Sequence, residues 1–551
     1  MAGAAGSGER GVRDVRMASG AGRWIVFTTV LGSGMALLDS TVVNVALPHI
    51  GEDLGADLAV LQWTVNAYML TLAGLILLGG SLGDRFGRRR VFVTGVVWFA
   101  AASLLCGLAP DAGVLIAARA LQGVGGALLT PGSLALIQAS FHEDDRARAV
   151  GLWSGFGGVG AAIGPFVGGW LVDGPGWRWV FLLNVPLALV CVPVALRHVP
   201  ESRDEAAHGR FDVLGAVLGA AALALVTYAL IGSAWWAGAA GVVVGACFVG
   251  VERRRGEAAM VPPSIFRSKT FTAVNLVTLC VYAAFGGFFF LAALQLQVVS
   301  GYSALAAGTA LLPTTVLMLL LSAKSGELGE RIGPRIPLTA GPLLCAAGML
   351  LMLRVGEDAS YVRDVLPALL VLGLGMTALV APLTATVLAS VDVSRAGLAS
   401  GINNAAARAA GLLAVAALPM LAGMGPEAYR SAAEFGETFR RAMPMCAGVL
   451  VAGAVLAWTT MRGAGAGAGA EAGGGAGAGS GTGAEGGAEA GVEGEAGAGA
   501  DGSTGAGAGS GAEARCHPEC RVHCGVQAPP LDPGGRGATR HRPGGGPGSP
   551  H

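Results

Sequence analysis

The chain has 551 residues, of which 53% are hydrophobic and only 13% are charged. A soluble domain carries about a quarter charged residues, so this composition excludes an ordinary soluble protein. Lys and Arg balance Asp and Glu at 36 each, which leaves no basic excess for binding nucleic acid. The apolar residues recur in runs of about 20 residues between Trp24 and Met461, a pattern typical of repeated membrane-spanning helices.

These runs predict an all-helical membrane protein. In lipid every backbone polar group needs an internal partner, which leaves helices or a closed barrel. Barrel strands would alternate in polarity over about ten residues, and these runs do not alternate. The fourteen predicted spans are 24–47, 61–80, 91–108, 112–135, 150–172, 180–198, 212–231, 234–251, 272–297, 304–323, 336–353, 365–388, 397–424 and 443–461.

The distribution of basic residues predicts the orientation of these spans. Most of the 36 Lys and Arg lie in the N-terminal segment, in the alternate loops that face it, and at the start of the tail. Basic loops stay on the cytoplasmic side of a membrane. We therefore expect both termini in the cytoplasm and a multi-pass protein of the cell membrane.

Two motifs recur 246 positions apart and indicate an internal repeat. GSLGDRFGRR at 80–89 aligns with GELGERIGPR at 326–335, and GLWSG at 151–155 aligns with GLASG at 397–401. Two pseudo-symmetric halves around a midplane cavity are a transporter design. The predicted organisation is a cytoplasmic segment 1–23, a six-helix half 24–198, an inserted helix pair 212–251, a six-helix half 272–461 and a disordered cytoplasmic tail 463–551.

Asp39 and Arg119 are charged residues deep inside predicted spans. Such a charge costs roughly 2.5–3.5 kcal/mol to insert, so it indicates a function. Asp39 is the candidate for loading and releasing a proton, against a fixed structural ion pair as the alternative. Arg119 lies at a similar depth and is its candidate partner, unless it extends toward the outer interface. At the same offset of 246, Phe285 would match Asp39, so the second half has no equivalent acid.

The loop after the second span is a candidate gate between conformations. Its glycines permit a tight turn and close helix approach, and its charges can hold one state closed. A solvated basic loop that only sets topology is the alternative, which the repeat at 326–335 disfavours. The residues of this candidate gate are Gly80, Gly83, Asp84, Arg85, Gly87, Arg88 and Arg89.

The fifth predicted span is rich in glycine. Small residues four apart let helices approach closely, and a proline bends the span, which suits a helix that moves at the interface between halves. Generic close packing explains the spacing equally well. The candidate packing residues are Gly160, Gly164, Pro165, Gly168 and Gly169.

Several polar and aromatic residues are candidates for substrate contact in a central cavity. Trp63 and Tyr68 also fit an interfacial aromatic belt. The full set is Asn44, Gln62, Trp63, Tyr68, Asn403 and Arg408.

No sequence feature predicts catalysis, a metal or a cofactor. The chain has no GxxxxGK[ST] loop, which excludes an ATP-driven pump in one chain, and no catalytic triad. The tail segment CHPECRVHC at 516–524 has metal-capable side chains but lacks the two paired arms of a zinc site. We expect a non-enzymatic membrane protein that functions as a monomer, whose partners are small molecules, protons and lipid.

Five motifs in order resemble those of the major facilitator superfamily, in particular its fourteen-span drug:proton antiporters of the EmrB/QacA type. Asp39 falls on the acidic position of the span-1 motif, and Arg119 on the basic position of the span-4 motif. The resemblance covers about 24–461. Its motifs are LDSTVVNVALP at 38–48, GSLGDRFGRRR at 80–90, RALQGVGGA at 119–127, GVGAAIGPFVGG at 158–169 and WRWVFLLNVP at 177–186.

This resemblance implies export of small hydrophobic molecules, such as drugs, dyes or antibiotics, coupled to proton entry through Asp39 and Arg119. It also implies alternating access between two six-helix bundles. Two alternatives stay open, a facilitator or importer of a nutrient and a transporter-like membrane sensor. The span-5 motif weighs against the importer, and the lack of a recognisable signalling module in the tail weighs against the sensor.

Overall fold

The fold is entirely helical in the part of the chain that the computed structural model describes, residues 15–203, 212–392, 395–425 and 428–461. Within these ranges the only β-type pairing is one isolated bridge between Val15 and Phe141. The predicted tail 463–551, with its cysteine-rich segment, lies outside the described residues.

Sixteen α-helices account for nearly all of the described chain, and short 3-10 and π turns extend some of them. In order they are α1 (Gly20–Asp53), α2 (Leu58–Phe86), α3 (Arg88–Gly107), α4 (Ala112–Ser140), α5 (Glu143–Asp173), α6 (Arg178–Leu182), α7 (Asn184–His198), α8 (Val213–Gly232), α9 (Trp235–Arg255), α10 (Lys269–Leu294), α11 (Ala304–Ala310), α12 (Leu312–Ile332), α13 (Arg335–Leu351), α14 (Leu366–Ala389), α15 (Ala396–Leu421) and α16 (Ala432–Thr460).

Thirteen helical segments in the described residues are long and apolar enough to cross a membrane. Two of them join short helices, α6 with α7 and α11 with α12. Thirteen of the fourteen predicted spans coincide with these segments. The remaining one, 150–172, falls on α5, a glycine-rich helix of 31 residues that is not among the thirteen.

Short polar residues begin many of the helices. Asp57, Asp111 and Ser268 each accept a hydrogen bond from a backbone N–H in the first turn of α2, α4 and α10. Such caps satisfy donors that a helix start leaves unpaired.

The helices before and after the inserted pair pack mainly among themselves. In the first group α2 and α3 pack against α4, and α1 packs against α5. In the second group α13 packs against α14 and α16, and α10 packs against α15 and α16. Helix α8 contacts α9, and it also contacts α2 of the first group and α15 of the second. It therefore covers a seam between the two groups.

Hydrogen bonds join the two groups at one end of the bundle. The arginine-rich loop at 80–90 lies at the opposite end. The side-chain amide of Gln62 donates to the carbonyls of Val415 and Ala416, and that of Gln297 donates to the carbonyl of Val45. The carboxylate of Asp173 accepts from the first N–H groups of α11. We call these contacts the outer clasp.

The surface of the bundle is apolar where a soluble protein would be polar. Trp235 is 81% exposed, Leu189 71% and Val242 69%. Large apolar side chains exposed on several helices indicate a lipid-facing surface. The buried charges are therefore the exceptions that define the site.

Candidate functional site

Asp39 and Arg119 form an ion pair in the interior of the first helix group. A guanidinium Nη1 of Arg119 lies 2.5 Å from a carboxylate oxygen, Oδ2, of Asp39. The Asp39 side chain is 0% exposed and that of Arg119 is 1% exposed. α1 supplies the acid and α4 the base, so the pair links these two helices.

Three neutral polar side chains complete the coordination of Asp39. Gln122, one turn after Arg119 on α4, donates to Asp39 Oδ1 at 2.7 Å and accepts from Arg119 at 2.5 Å. Asn184 of α7 donates to the same Asp39 oxygen at 3.3 Å. Gln122 and Asn184 both donate to the hydroxyl of Ser103 on α3. Four helices thus contribute to one buried network.

Arg119 has further partners that compensate its burial. Its Nε donates to the backbone carbonyl of Thr64 at 2.9 Å. Its guanidinium lies over the ring of Tyr68, with 4.4 Å to the centroid, and near the ring of Phe181. A buried ion pair is stable only when such additional bonds satisfy the remaining donors. The result is a charged centre from which water is excluded.

The sequence singled out the two charges of this network but missed its neutral members. Gln122 lies inside the RALQG segment, three residues after Arg119, so its helical spacing was a usable signal. Ser103 and Asn184 stand alone in apolar runs with no such signal. We call the set Asp39, Arg119, Gln122, Ser103 and Asn184 the buried charge network.

The loop between α2 and α3 binds the segment that follows α7. Asp84 pairs with Arg88 at 2.8 Å, one helical turn away, so its contact is local. The N–H of Arg88 donates to the carbonyl of Ser202 at 2.8 Å, and the guanidinium of Arg89 donates to that of Val199 at 3.0 Å. The loop is thus fixed within its own helix group.

Glu201 is the residue of this loop site that the sequence did not single out. Its carboxylate accepts from the N–H of Arg89 at 3.1 Å and lies 3.7 Å from the guanidinium groups of both Arg89 and Arg90. Gly87 has φ +108°, and a Cβ there would lie 2.6 Å from the Glu201 carboxylate. The positive φ favours glycine at this turn, because other residues rarely adopt it.

The other loop glycines predicted to act as a gate have room around them. Gly80 faces Pro131 of α4, where a Cβ would make an ordinary 3.6 Å contact, and Gly83 is equally open. Arg85 lies next to Phe86, with its guanidinium 5.9 Å from the ring centroid. In this region α2 approaches α4 most closely at Gly79, where a Cβ would overlap the carbonyl of Ala127.

The glycines of α5 pack against both helix groups. A Cβ at Gly164 would overlap the hydroxyl of Thr41, and one at Gly168 would lie 2.7 Å from Val42. Both contacts are on α1, close to Asp39. A Cβ at Gly169 would overlap the backbone of Leu305 on α11, which belongs to the other group.

Pro165 also takes part in the contact between α5 and α11. Gly160 takes part neither in that contact nor in the contact with α1. The carbonyl of Pro165 lies against Gly308 of α11 so closely that a Cβ on that glycine would overlap it. At Gly160 an added Cβ would meet no described atom within 4 Å. The predicted packing role of Gly160 stays a prediction.

Three candidate substrate contacts are occupied by the protein itself. The side-chain amide of Gln62 donates its hydrogen bonds within the outer clasp. Trp63 packs against Tyr228 of α8, with ring centroids 6.4 Å apart, and so faces the inserted pair. Tyr68 is fully buried beneath Arg119.

The other three candidates retain unused polar capacity. The Oδ1 of Asn44 is buried without a hydrogen-bond partner. Asn403 donates to Asn275 and to Thr278 on α10, and Arg408 donates to Asn404 at 3.0 Å. Substrate contact at these positions stays a prediction.

Helix-only architecture, a sealed ion pair and close glycine contacts between two helix groups define a membrane transporter. Residues 29–415 match the sequence model of the Major Facilitator Superfamily, and the chain belongs to this superfamily. A crystal structure of a bacterial homolog of the human lysosomal transporter Spinster, inward-facing and unoccupied, superposes with a TM-score of 0.58 at 17% identity. The superposition covers 80% of this chain and 97% of that one.

The relatives of the chain are antibiotic export and resistance proteins. It is 37% identical to a probable actinorhodin transporter of Streptomyces coelicolor over 72% of each chain. It is 36% identical to the puromycin resistance protein pur8 of Streptomyces alboniger, over 79% of this chain and 91% of that one. The family resemblance predicted from the motifs is confirmed.

Proposed function

We propose that this protein exports small hydrophobic organic molecules, such as antibiotics, drugs or dyes, in exchange for protons. The observation that carries the proposal is the buried Asp39–Arg119 pair. It places an ionisable carboxyl group inside the membrane, surrounded by side chains that hydrogen-bond it. The antibiotic exporters among its relatives support the class of substrate.

Proton binding at Asp39 would change the forces that hold α1 against α4. A protonated Asp39 no longer attracts Arg119, and breaking a buried pair costs about 3–5 kcal/mol. Gln122 and the carbonyl of Thr64 still accept from Arg119, so the guanidinium is not left unpaired. The loss of this attraction favours a rearrangement in which Asp39 becomes accessible from the opposite side of the membrane.

Movement of α1 would be transmitted to the second helix group through α5. Gly164 and Gly168 contact α1 two and three residues after Asp39, and Gly169 contacts α11. The packing of a helix between two groups switches between discrete arrangements and does not deform gradually. This continuity supports alternating access coupled to the state of Asp39.

The full topology that fits this mechanism has fourteen spans, with α5 as the fifth. We place six in each half and two in the inserted pair. Both termini would lie in the cytoplasm of a cell-membrane protein that works as a monomer. The outer clasp then closes the external side and the arginine-rich loop faces the cytoplasm.

The proton exchange sets the gradient that the transporter can sustain. One charge crossing about 100 mV releases roughly 2.3 kcal/mol. For a neutral substrate exchanged one for one, this corresponds to about a fifty-fold concentration ratio. A pH gradient adds to that value.

Everted membrane vesicles test the proposal. With an acidified interior, adding a substrate should release protons, seen as dequenching of an acridine dye across a panel of antibiotics and lipophilic dyes. Asp39→Asn should abolish the release while the protein stays inserted. The control is Asp111→Asn, because asparagine caps a helix as well as aspartate does. Full proton release by Asp39→Asn would contradict the assignment.

A further inference from the structure

Arg408 is a second cation inside the helix bundle, and it differs from Arg119 in that no described acid pairs with it. It lies at the middle of α15, a helix of 26 residues, and is partly accessible. Its guanidinium Nε donates a hydrogen bond to the neutral amide oxygen of Asn404 at 3.0 Å. Among the described residues, no carboxylate lies within 4.0 Å of its guanidinium.

A cation at the midplane of a membrane normally carries a resident counter-charge. Arg119 has Asp39 for this purpose. Asp39 in turn is saturated by Arg119, Gln122 and Asn184, so it is not shared with Arg408. Intramembrane charges that lack a partner in the protein face a cavity and mark a ligand or ion pathway.

The surroundings of Arg408 come from both helix groups. On α15, Gly401 packs against Leu77 of α2, and the carbonyl of Val415 accepts from Gln62 of α2; Arg408 lies seven residues from each, on the same face of the helix. Because α15 packs against both α2 and α10, this face lies between the two groups, where a transporter built from two halves binds its cargo.

Aromatic rings line the adjacent face of α10. Tyr282, Phe285 and Phe289 follow one another at spacings of three and four residues, with ring centroids 6.0 and 6.4 Å apart. One turn before them, Asn403 of α15 is hydrogen-bonded to Asn275 and Thr278. The lining therefore combines flat apolar surface, amide groups and one uncompensated positive charge.

We propose that Arg408 supplies the counter-charge for an anionic substrate, an aromatic molecule that carries a carboxylate or an acidic phenol. A guanidinium offers two parallel donors that match a carboxylate, and the α10 rings offer a surface for stacking. The inference rests on the proposed export function and narrows its substrate class.

An anionic cargo changes the electrical balance of exchange. One anion leaving and one proton entering together move two charges in the direction that the membrane potential favours. The fifty-fold ratio for a neutral substrate then becomes about 2,500-fold, while a singly charged cation gains nothing from the potential. A positive cavity therefore selects the cargo that the potential drives best.

Binding of two dyes with one ring system tests the proposal. Fluorescein and rhodamine 123 share the xanthene core, but fluorescein is an anion and rhodamine 123 a cation. We expect the full-length protein in nanodiscs to bind fluorescein more tightly, measured by fluorescence polarisation. Arg408→Gln should weaken fluorescein binding by about 10- to 150-fold, the value of a hydrogen bond to a charged group, and leave rhodamine 123 binding unchanged or stronger.

Two further variants separate charge from folding. Arg408→Lys keeps the charge but not the fork, so it should retain the preference for fluorescein with reduced affinity. Arg254→Gln removes an exposed arginine at the end of α9 and should change neither affinity. Equal binding of the two dyes by the unaltered protein, binding of neither, or equal losses for both in Arg408→Gln would overturn the proposal.

The same dyes distinguish this inference from the proposed function. Asp39→Asn should still bind fluorescein, because Asp39 does not touch Arg408, yet it should not couple fluorescein export to protons. If Arg408→Gln behaves as expected but no substrate moves protons, the anion site stands and the export mechanism fails. The reverse result would retain proton-coupled export and remove the anion site.

Discussion

At the scale of single residues, the charge network shows why neutral side chains matter in a membrane. Gln122 holds Asp39 with its amide N–H and Arg119 with its amide oxygen, so it orients both members of the pair. In a medium that excludes water, removing one partner leaves the other groups unsatisfied. The relative position of Asp39 and Arg119 therefore depends on Gln122.

Replacement of Gln122 by leucine should destabilise the protein and impair coupling. It keeps the side-chain volume but removes bonds to Asp39, Arg119 and Ser103, which we expect to cost roughly 2–3 kcal/mol. Thermal unfolding in detergent and the number of protons moved per substrate measure the two effects. Gln138→Leu is the matched control, since Gln138 lies exposed on the same helix. Equal unfolding temperatures for the two variants would argue against the role of Gln122.

The residue scale is also where prediction from sequence is uneven. Asp39 and Arg119 are conspicuous because a charge inside an apolar run is costly. Ser103 and Asn184 are not, because small polar residues cost little and their partners lie on helices far apart in sequence. Glu201 was missed because it lies in a loop, where an acid is ordinary.

At the scale of helices, α5 depends on glycine at particular positions and not along its whole length. Contacts at Gly164 and Gly168 face α1, and that at Gly169 faces α11. The sequence predicted the glycine-rich face but not which members touch a neighbour, because spacing alone does not give the rotation of a helix.

Alanine substitutions along α5 test this pattern. Gly164→Ala and Gly169→Ala should abolish transport or prevent folding, because the added methyl group would overlap Thr41 in one case and the α11 backbone in the other. Gly160→Ala should keep transport near the unaltered level, since the space beside it is open. Transport rates normalised to the amount of inserted protein give the comparison. A loss at Gly160 as large as at Gly164 would contradict the packing described.

The inserted pair is anchored at its polar end by Asp212. Its carboxylate caps α8 by accepting from the N–H of Gly215 at 2.6 Å, pairs with Arg255 of α9, and accepts from the N–H of Met260. Burial by itself would raise the pKa of Asp212. The hydrogen bonds from Gly215, Glu252 and Met260 and the charge of Arg255 outweigh burial and hold that pKa below its usual value.

This lowered pKa gives the anchor a defined pH dependence. A carboxyl group with a depressed folded-state pKa stabilises the fold at pH above about 3.9 and loses that contribution as the pH falls through the folded-state value. Asp212→Ala should therefore destabilise the protein by about 1–2 kcal/mol at neutral pH and by less in acid. Thermal unfolding from pH 7 to pH 3 measures the difference, with the exposed Asp358→Ala as control. A pH-independent difference would exclude this role.

At the scale of the whole molecule, the outer clasp holds the two helix groups together at one end. Asp173 caps α11 across the interface, and Gln62 and Gln297 bind carbonyls of the opposite group. The sequence predicted two related halves from the repeat at offset 246. It did not predict these contacts, because neither helix group reveals its partner surface alone.

Weakening the clasp should shift the population toward a state open at that end. Asp173→Ala removes two hydrogen bonds from N–H groups of α11, which together contribute about 3–6 kcal/mol when the acceptor is charged. Spin labels at positions 52 and 357, exposed at this end on different groups, should show a longer mean distance in the variant. Glu437→Ala, exposed on α16, is the control. Unchanged distances would show that other contacts determine this conformation.

The position of α8 has a consequence for the route by which cargo arrives. Hydrophobic compounds accumulate in the bilayer, and a bundle of two halves offers them two lateral entrances. α8 contacts both α2 and α15, so one of these entrances is shut to molecules that diffuse within the lipid. Where α5 packs against α11 and α12 in the described part of the chain, neither α8 nor α9 lies across the contact, so cargo dissolved in the membrane would have to enter on that side only.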